Sequence, residues 1–353
     1  MQVPRFTASP NFYNDLKSRV NQYFVETNQS PTGNWRLYTK ATLLTAAMII
    51  LYVVLVFFTP STPWAIALCV VAGFATAAHG FNVMHDGCHG SFSKSKKINT
   101  IAGYTLSILG GNDFMWKLKH NVMHHGFTNV HGYDDDIEVR PFFRMCPTQT
   151  HKWFHRFQAT YSIVLYSLLY VLWMLFFDYK KYFTGKIGSF DVPKMKTGDH
   201  IAFWAGKIVS TFLFLILPII KLGFVKAIVG FLIFTLLTGF LLTIVFQLAH
   251  VVEETTFPIP TDECKIENEW AIHQIQTTAN FATRNPIVTW FCGGLNFQIE
   301  HHLFPSVSHI HYPKISWIVK QVCSEYGVSY VEFPHISTAV HSHFKLLHDL
   351  GRA

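Results

Sequence analysis

The sequence predicts an all-α integral membrane protein: four transmembrane helices, an interfacial helix and a cytoplasmic helical cap. Three observations predict it. Half of the 353 residues are hydrophobic and only 14% are charged. The apolar residues come in unbroken runs of about twenty, enough to cross roughly 30 Å of hydrocarbon. The chain also carries 20 His against 6 Cys, an unusual load of ionisable groups for a membrane protein without a use for them.

The elements follow in order. Residues 1–40 are polar, contain Arg5, Lys17, Arg19 and Arg36, and have no apolar core. They read as a cytoplasmic N-terminal segment rather than a cleavable signal peptide. Targeting then falls to the first span, residues 41–60, "ATLLTAAMIILYVVLVFFTP", which carries no charge. A Thr-Pro-Ser-Thr-Pro turn leads into a second span over 62–84. A second pair of spans, 202–220 and 227–249, is separated by the turn "KLGFVK". The run 157–177 is equally apolar.

Charge orients these spans, since Lys and Arg gather on the cytoplasmic side. The N-terminal segment is basic, and so is the stretch holding Lys94, Lys96, Lys97, Lys117, Lys119, Arg140 and Arg144. The turn between the first two spans has neither Lys nor Arg. If 157–177 crossed fully, Lys180, Lys181, Lys186, Lys194 and Lys196 would lie outside. That run is therefore expected to lie in or dip into the membrane surface. Lys221 and Lys226 then occupy an outer turn, a smaller violation than the five they replace. Residues 85–156 and 251–353 are expected to form the cytoplasmic cap, and 41–353 to make one integral membrane domain. No internal repeat or low-complexity tract is present. The net charge of +7 is spread over loops and forms no nucleic-acid stripe. The scattered cysteines form no C-x-x-C pair, so neither a disulfide framework nor a zinc ribbon is indicated.

The histidines cluster at the cytoplasmic ends of the spans. "HDGCH" places His85 and His89 at i and i+4, one helical face directed at one locus. In "HNVMHH", His120 and His124 repeat that spacing, and His125 is turned about 100° further round the helix. Adjacent imidazoles diverge in this way, so such a pair most naturally serves two metal centres. His250 ends the last span. Beyond it "GGLNFQIEHHLFP" brings His301 and His302, with Gln298 on the same helical side as His301.

Taken singly these signals are weak: His250 alone reads as a histidine snorkelling at the bilayer edge, and paired histidines as a solvated surface. Taken together they fall on one side of the membrane, where buried imidazoles need partners and would repel if protonated. Neutral ligation of metal meets both needs. Imidazole-rich sites without thiolates suit Zn, Fe, Cu or Ni, and the donor set alone does not choose among them. A structural zinc takes four ligands, so eight histidines and a glutamine fit two ions of higher coordination better.

The order HDGCH, HNVMHH, QIEHH, with spans between, resembles the membrane fatty acid desaturase family. "HHGFTNVHGYDDDIE" and "QIQTTANF" strengthen the resemblance, which covers roughly residues 40–320. It implies a four-span helical domain whose cap holds two iron ions, with O2 as co-substrate. Its expected ligands are His85, His89, His120, His124, His125, His250, His301 and His302. Most relatives have histidine where this chain has Gln298. Glutamine there resembles the front-end subgroup, which adds a double bond between an existing one and the carboxyl end. The amide is expected either to bind iron directly or to hold a water.

The second box is spaced HxxxHH rather than the commoner HxxHH. Many front-end relatives carry a fused haem domain with a His-Pro-Gly-Gly signature, which this chain lacks. A separate electron donor, a ferredoxin or a cytochrome b-type carrier, is therefore implied. The Lys94–Lys119 lysines suit an acidic one, unless they only enforce topology or meet anionic lipid. The substrate is expected to be an acyl-CoA or acyl-lipid. Asp134, Asp135 and Asp136 are candidates to steady an imidazole or else form a solvated turn, and Asn129 and Asn296 are weaker ones. His79 reads as a satisfied core histidine, and His309 and His311 as surface residues. A hydroxylase or related oxygenase on the same scaffold is the nearest alternative. A histidine-lined metal transporter, with ligands near mid-membrane, is the alternative of a different class, and a membrane zinc hydrolase is a third.

Overall fold

A computed structural model describes residues 3–7 and 11–353. It is built almost wholly from helices. They are α1 (Asn11–Glu26), α2 (Trp35–Phe58), α3 (Thr62–His89), α4 (Lys96–Ile108) and α5 (Asp113–Lys117), then α6 (Trp153–Thr184), α7 (Thr197–Leu222) and α8 (Phe224–His250). The rest are α9 (Trp270–Gln276), α10 (Pro286–Phe291), α11 (Gln298–Leu303), α12 (Tyr312–Tyr326) and α13 (Ile336–Leu350). Strand pairing is confined, among the described residues, to three two-stranded pairs. Arg5–Phe6 lies parallel to Lys265–Ile266, and Asn280–Phe281 parallel to Glu332–Phe333. Lys186–Ile187 lies antiparallel to Phe190–Asp191.

Five helices are long and apolar enough to cross a membrane: α2, α3, α6, α7 and α8, of 24 to 32 residues. The shortest, at 1.5 Å per residue, reaches about 36 Å, more than the hydrocarbon thickness. The run 157–177 is thus the middle of a helix as long as the others. The helices also outlast the apolar runs. α3 continues to His89 and α8 to His250, so His85 and His250 stand at the edge of the greasy segments and His89 about one turn beyond.

Close backbone approach locks the bundle. Thr238 on α8 donates to the Gly73 carbonyl of α3 at 3.3 Å, and Phe81 meets Phe246 edge-on further along the same parallel pair. Gly73 lets this happen, because a Cβ there would sit 3.0 Å from the Leu237 side chain. α6 runs antiparallel to α8, with Thr243 donating to the Tyr166 carbonyl at 3.2 Å and Tyr170 against Phe234. The start of α6 and the segment just after its end touch the layer that carries the second histidine box. Gln158 accepts from the Arg144 amide at 2.9 Å. Beyond the far end, Ile187 packs on Met115 and Met123, and Ser189 donates to the Gly132 carbonyl at 2.7 Å.

The cap closes over the histidines. Phe12, Leu16, Val20 and Phe24 of α1 recur every fourth residue, and all four are buried against Ile299, Leu303, Ile315, Val319 and Val322 of α11 and α12. Each such side chain, fully buried, contributes about 1.5–3 kcal/mol. The N-terminal segment is therefore folded into the same core as the third histidine box.

Candidate metal centre

Three local features aim the imidazoles. The turns Gly80–Met84 and Leu118–His124 are wound wider than an α-helix, with the His125 amide bonded to the His120 carbonyl five residues back at 3.0 Å. Such wide turns recur at functional sites. Here the wider turn accommodates the HxxxHH spacing, which departs from the family's commoner HxxHH. Gly87, inside "HDGCH", lets α3 touch α4, since a Cβ would lie 2.6 Å from the Gly103 nitrogen. Gly293 and Gly294 both have positive φ, +58° and +69°, the left-handed turn that delivers α11 into the site.

The eight expected histidines come together. Seven are buried and His89 is partly so. Ligand atoms of His85, His89, His120 and His301 all lie within 4.8 Å of one another, and so do those of His124, His250 and His302. His125 stands between the groups. Its Nε2 is 3.3 Å from that of His120, and its ring centroid is 4.3 Å from that of His302 and 4.9 Å from that of His89.

Hydrogen bonds on the other ring nitrogen set the tautomers. His124 Nδ1 lies 3.0 and 3.2 Å from the Asp134 carboxylate, which only accepts, so Nδ1 carries the proton. His250 Nδ1 faces the Thr277 carbonyl at 3.2 Å, and His302 Nδ1 the Gln274 side-chain oxygen at 2.7 Å. His301 Nδ1 meets the Tyr312 hydroxyl at 3.1 Å. For His124, His250 and His302, whose partners accept, Nε2 is left with a free lone pair, the arrangement of a metal-ligating imidazole; the Tyr312 hydroxyl orients the His301 ring without choosing its tautomer. The Nε2 atoms of His85, His89, His124, His250, His301 and His302 are buried without a protein partner. A buried polar atom of this kind costs about 1–3 kcal/mol when nothing meets it. The donor set therefore fits a pair of metal ions.

Electrostatics agree with neutral ligation. Burial, reinforced by neighbouring imidazoles, holds His120, His125, His301 and His302 well below the ordinary histidine value. His124 is the exception: burial pulls it down, but Asp134 and Asp136 together raise it above normal.

Gln298 is fully buried at the start of α11, with both amide atoms unpartnered. Asp136 sits 3.4 Å from His124 Nδ1 and 2.7 Å from Lys119, and it joins His120 and His124 in a third possible ligand group. Asp135 also faces Lys119, at 3.4 Å. Asn129 donates to the His250 carbonyl at 2.7 Å and, through its amide, to Asp134 at 2.9 Å. Asn296 instead donates to Thr289 and the Ala282 carbonyl, away from any imidazole. His79 is buried in α3, yet its Nδ1 has no partner, so it is not a satisfied core histidine.

His309 and His311 are corrected: both are buried, at 5% and 4% exposure. The cap folds the 305–312 stretch inward, where His309 Nδ1 bonds Asp86 of the first box at 2.9 Å and His311 packs edge-on against Phe24. Sequence reading also missed Gln274, Thr277, Tyr312 and Asn280. Asn280 holds Glu300 at 2.8 Å and the Ile299 amide at 2.9 Å. Glu300, fully buried in "QIEHH", is pushed up to about 7 by burial, with Asn280 and Tyr330 opposing. Three of these four residues lie in "QIQTTANF", so the signal was present but carried no spacing rule. Aromatic rings close one side of the cluster. Trp116 stacks on His120 at 4.4 Å, and Phe246 approaches it at 5.8 Å.

Comparison with known proteins follows this geometry. Residues 61–334 match the fatty acid desaturase family profile. The chain is 38% identical to the sn-1 linoleoyl-lipid 6-desaturase of Arthrospira platensis, over 92% of this chain and 88% of that one. It is 36% identical to the sn-1 linoleoyl-lipid 6-desaturase of Synechocystis sp., over 99% and 98%. Against the acyl-lipid (8-3)-desaturase of Physcomitrium patens it is 36% identical over 97% of this chain and 72% of the relative. The chain belongs to the fatty acid desaturase family, a family of membrane oxidoreductases.

Proposed function

We propose that the protein is an oxygen-dependent front-end desaturase that adds a cis double bond to an unsaturated, glycerolipid-borne acyl chain of the linoleoyl class. The observation that carries this reading is the set of six buried, unpartnered Nε2 atoms drawn from four separate segments. His85, His89, His120 and His301 would hold one iron, and His124, His250 and His302 the other, with His125 between them. Gln298, buried with both amide atoms unpartnered, would act on the metal directly or through a water. A pair of irons bound there supplies the reduction of O2 and the removal of hydrogen from two adjacent methylenes. The acyl chain gives up two hydrogens, a donor adds two electrons and two protons, and two waters leave.

The chain's own residues orient and exclude. Asp134, Thr277, Gln274 and Tyr312 hold four imidazoles with Nε2 inward. Trp116 and Phe246 supply the apolar flank along which a methylene pair approaches, and they keep water from the reacting carbon. Misplacing that pair by 1 Å costs about a hundredfold in rate. The substrate class is supported by the printed names of the relatives, linoleoyl-lipid 6- and acyl-lipid (8-3)-desaturases.

The topology we favour has four spans with the histidines on the cytoplasmic side, and α6 dipping into the membrane surface. Contact of the start of α6 with Arg144, and of the segment just after its end with Gly132, supports it. A separate ferredoxin or cytochrome b-type carrier would deliver electrons. Lys117 and Lys119 are already paired with Asp113 and Asp136, so the exposed Lys94, Lys96 and Lys97 are the better docking candidates. The test is expression in a host lacking polyunsaturated lipid, feeding linoleate and mapping double bonds by mass spectrometry. A new bond on the carboxyl side of the existing pair is expected. A hydroxylated product or metal flux without new lipid would contradict the reading.

A further inference from the structure

A cavity of 580 Å³ opens beside the first turns of α2, lined among others by Arg36, Lys40, Arg284, Thr289, Trp290 and His309. Three cationic side chains converge on it and no acidic side chain lines it. Arg36 and Arg284 are exposed. Lys40 donates to the Trp290 carbonyl and lies 4.7 Å over the Trp290 ring, which fixes its ammonium at the wall. Two acids stand outside the lining: Asp86 is buried behind the wall and already engaged by His309 at 2.9 Å and Ser308 at 3.1 Å, and Glu332, on the Arg284 side, is held by Lys320 and the Thr283 hydroxyl.

The position of the cavity says what it meets. Trp35 and Trp290 are 69% and 50% exposed, as interfacial anchors are. The next turns of α2 expose Leu43, Ile49 and Ile50, a lipid-facing surface. α10 forms one wall with Pro286, Thr289 and Trp290. Its opposite face borders a second groove of 370 Å³, lined by apolar side chains such as Phe240, Leu241, Ile287 and Phe344. One short helix thus separates a basic recess from a hydrocarbon-like one, the polarity change that a lipid headgroup and its chains require. Guanidinium pairs match phosphate oxygens in geometry, and a lysine adds a point charge.

We propose that this cavity binds the phosphate-class headgroup of an anionic membrane lipid, at a site separate from the metal centre. The inference rests on the membrane setting and stands whichever reaction the histidines support. The full-length protein is reconstituted in phosphatidylcholine nanodiscs doped with phosphatidylglycerol, and the lipid retained after detergent extraction is quantified by mass spectrometry. Wild type should retain phosphatidylglycerol over phosphatidylcholine by about tenfold or more, and an Arg36→Gln/Arg284→Gln variant should lose most of that preference. Both residues are exposed, so the variant keeps its fold, checked by helical content and bound metal. Lys40→Met should weaken retention in the same direction. Equal retention by wild type and the double variant would overturn the proposal. Displacement of the lipid by equimolar inorganic phosphate would overturn it too, by assigning the cavity to the free ion.

Discussion

His302 Nδ1 lies 2.7 Å from the side-chain oxygen of Gln274, a residue 28 positions earlier in the chain. Thr128, three residues after the second histidine box, donates to the same oxygen at 3.0 Å. One buried amide therefore ties the second and third boxes together and fixes the tautomer of a ligand candidate. Gln274→Leu removes that acceptor. Loss of such a partner typically costs 10- to 100-fold in metal affinity, to be read as metal retained against a chelator. Gln274→Glu, which still accepts, should retain metal far better. Equal retention by the Leu variant would show that the contact is only packing.

Asp134 accepts from His124, from the Asn129 amide at 2.9 Å and from the Asp136 amide at 3.0 Å. Asp134→Leu strands two buried amides, each worth about 1–3 kcal/mol, and frees the His124 ring. Both thermal stability and metal content should fall. Asp134→Asn keeps one acceptor and should fall between this variant and wild type on both measures.

The site was legible because imidazole is chemically specific and helical spacing is regular. His85, His89, His120, His124 and His125 could be grouped from the chain alone. Gln274, Thr277 and Tyr312 could not, because an amide, a carbonyl and a phenol carry no spacing that separates an imidazole partner from ordinary core. His309 and His311 misled for a related reason. Burial of the 305–312 stretch depends on α1 and the cap closing over it, long-range packing that local polarity does not encode. Helix lengths failed at their ends, since apolar runs mark the lipid-facing portion and not the hydrogen-bonded helix.

The buried ion pair Lys207–Asp178, at 3.1 Å, joins α7 to α6, with Lys207 also donating to the Gly110 and Met174 carbonyls. Lys207→Met leaves a buried carboxylate unpaired, at a cost of about 3–5 kcal/mol. The double variant Lys207→Met/Asp178→Leu should recover much of that loss in detergent-solubilised unfolding. No recovery would show that the carbonyl contacts of Lys207, and not the charge pair, dominate.

Acid should destabilise the metal-free protein. The values of His120, His125, His301 and His302 are depressed in the folded state. Both states are neutral above about pH 6.5, and below it only the unfolded chain takes up protons, so stability falls with pH. His124, raised by Asp134 and Asp136, works in the opposite direction and offsets part of the loss. Unfolding midpoints measured from pH 8 to 5 on metal-stripped protein check this. A midpoint that rises on acidification would contradict it.

Elemental analysis of the purified, full-length protein, with the metal-to-chain ratio as readout, tests the centre most directly. The account predicts two irons per chain, reduced to one or none by His302→Ala. A single zinc per chain, or no bound transition metal in protein that is folded and embedded, would contradict it.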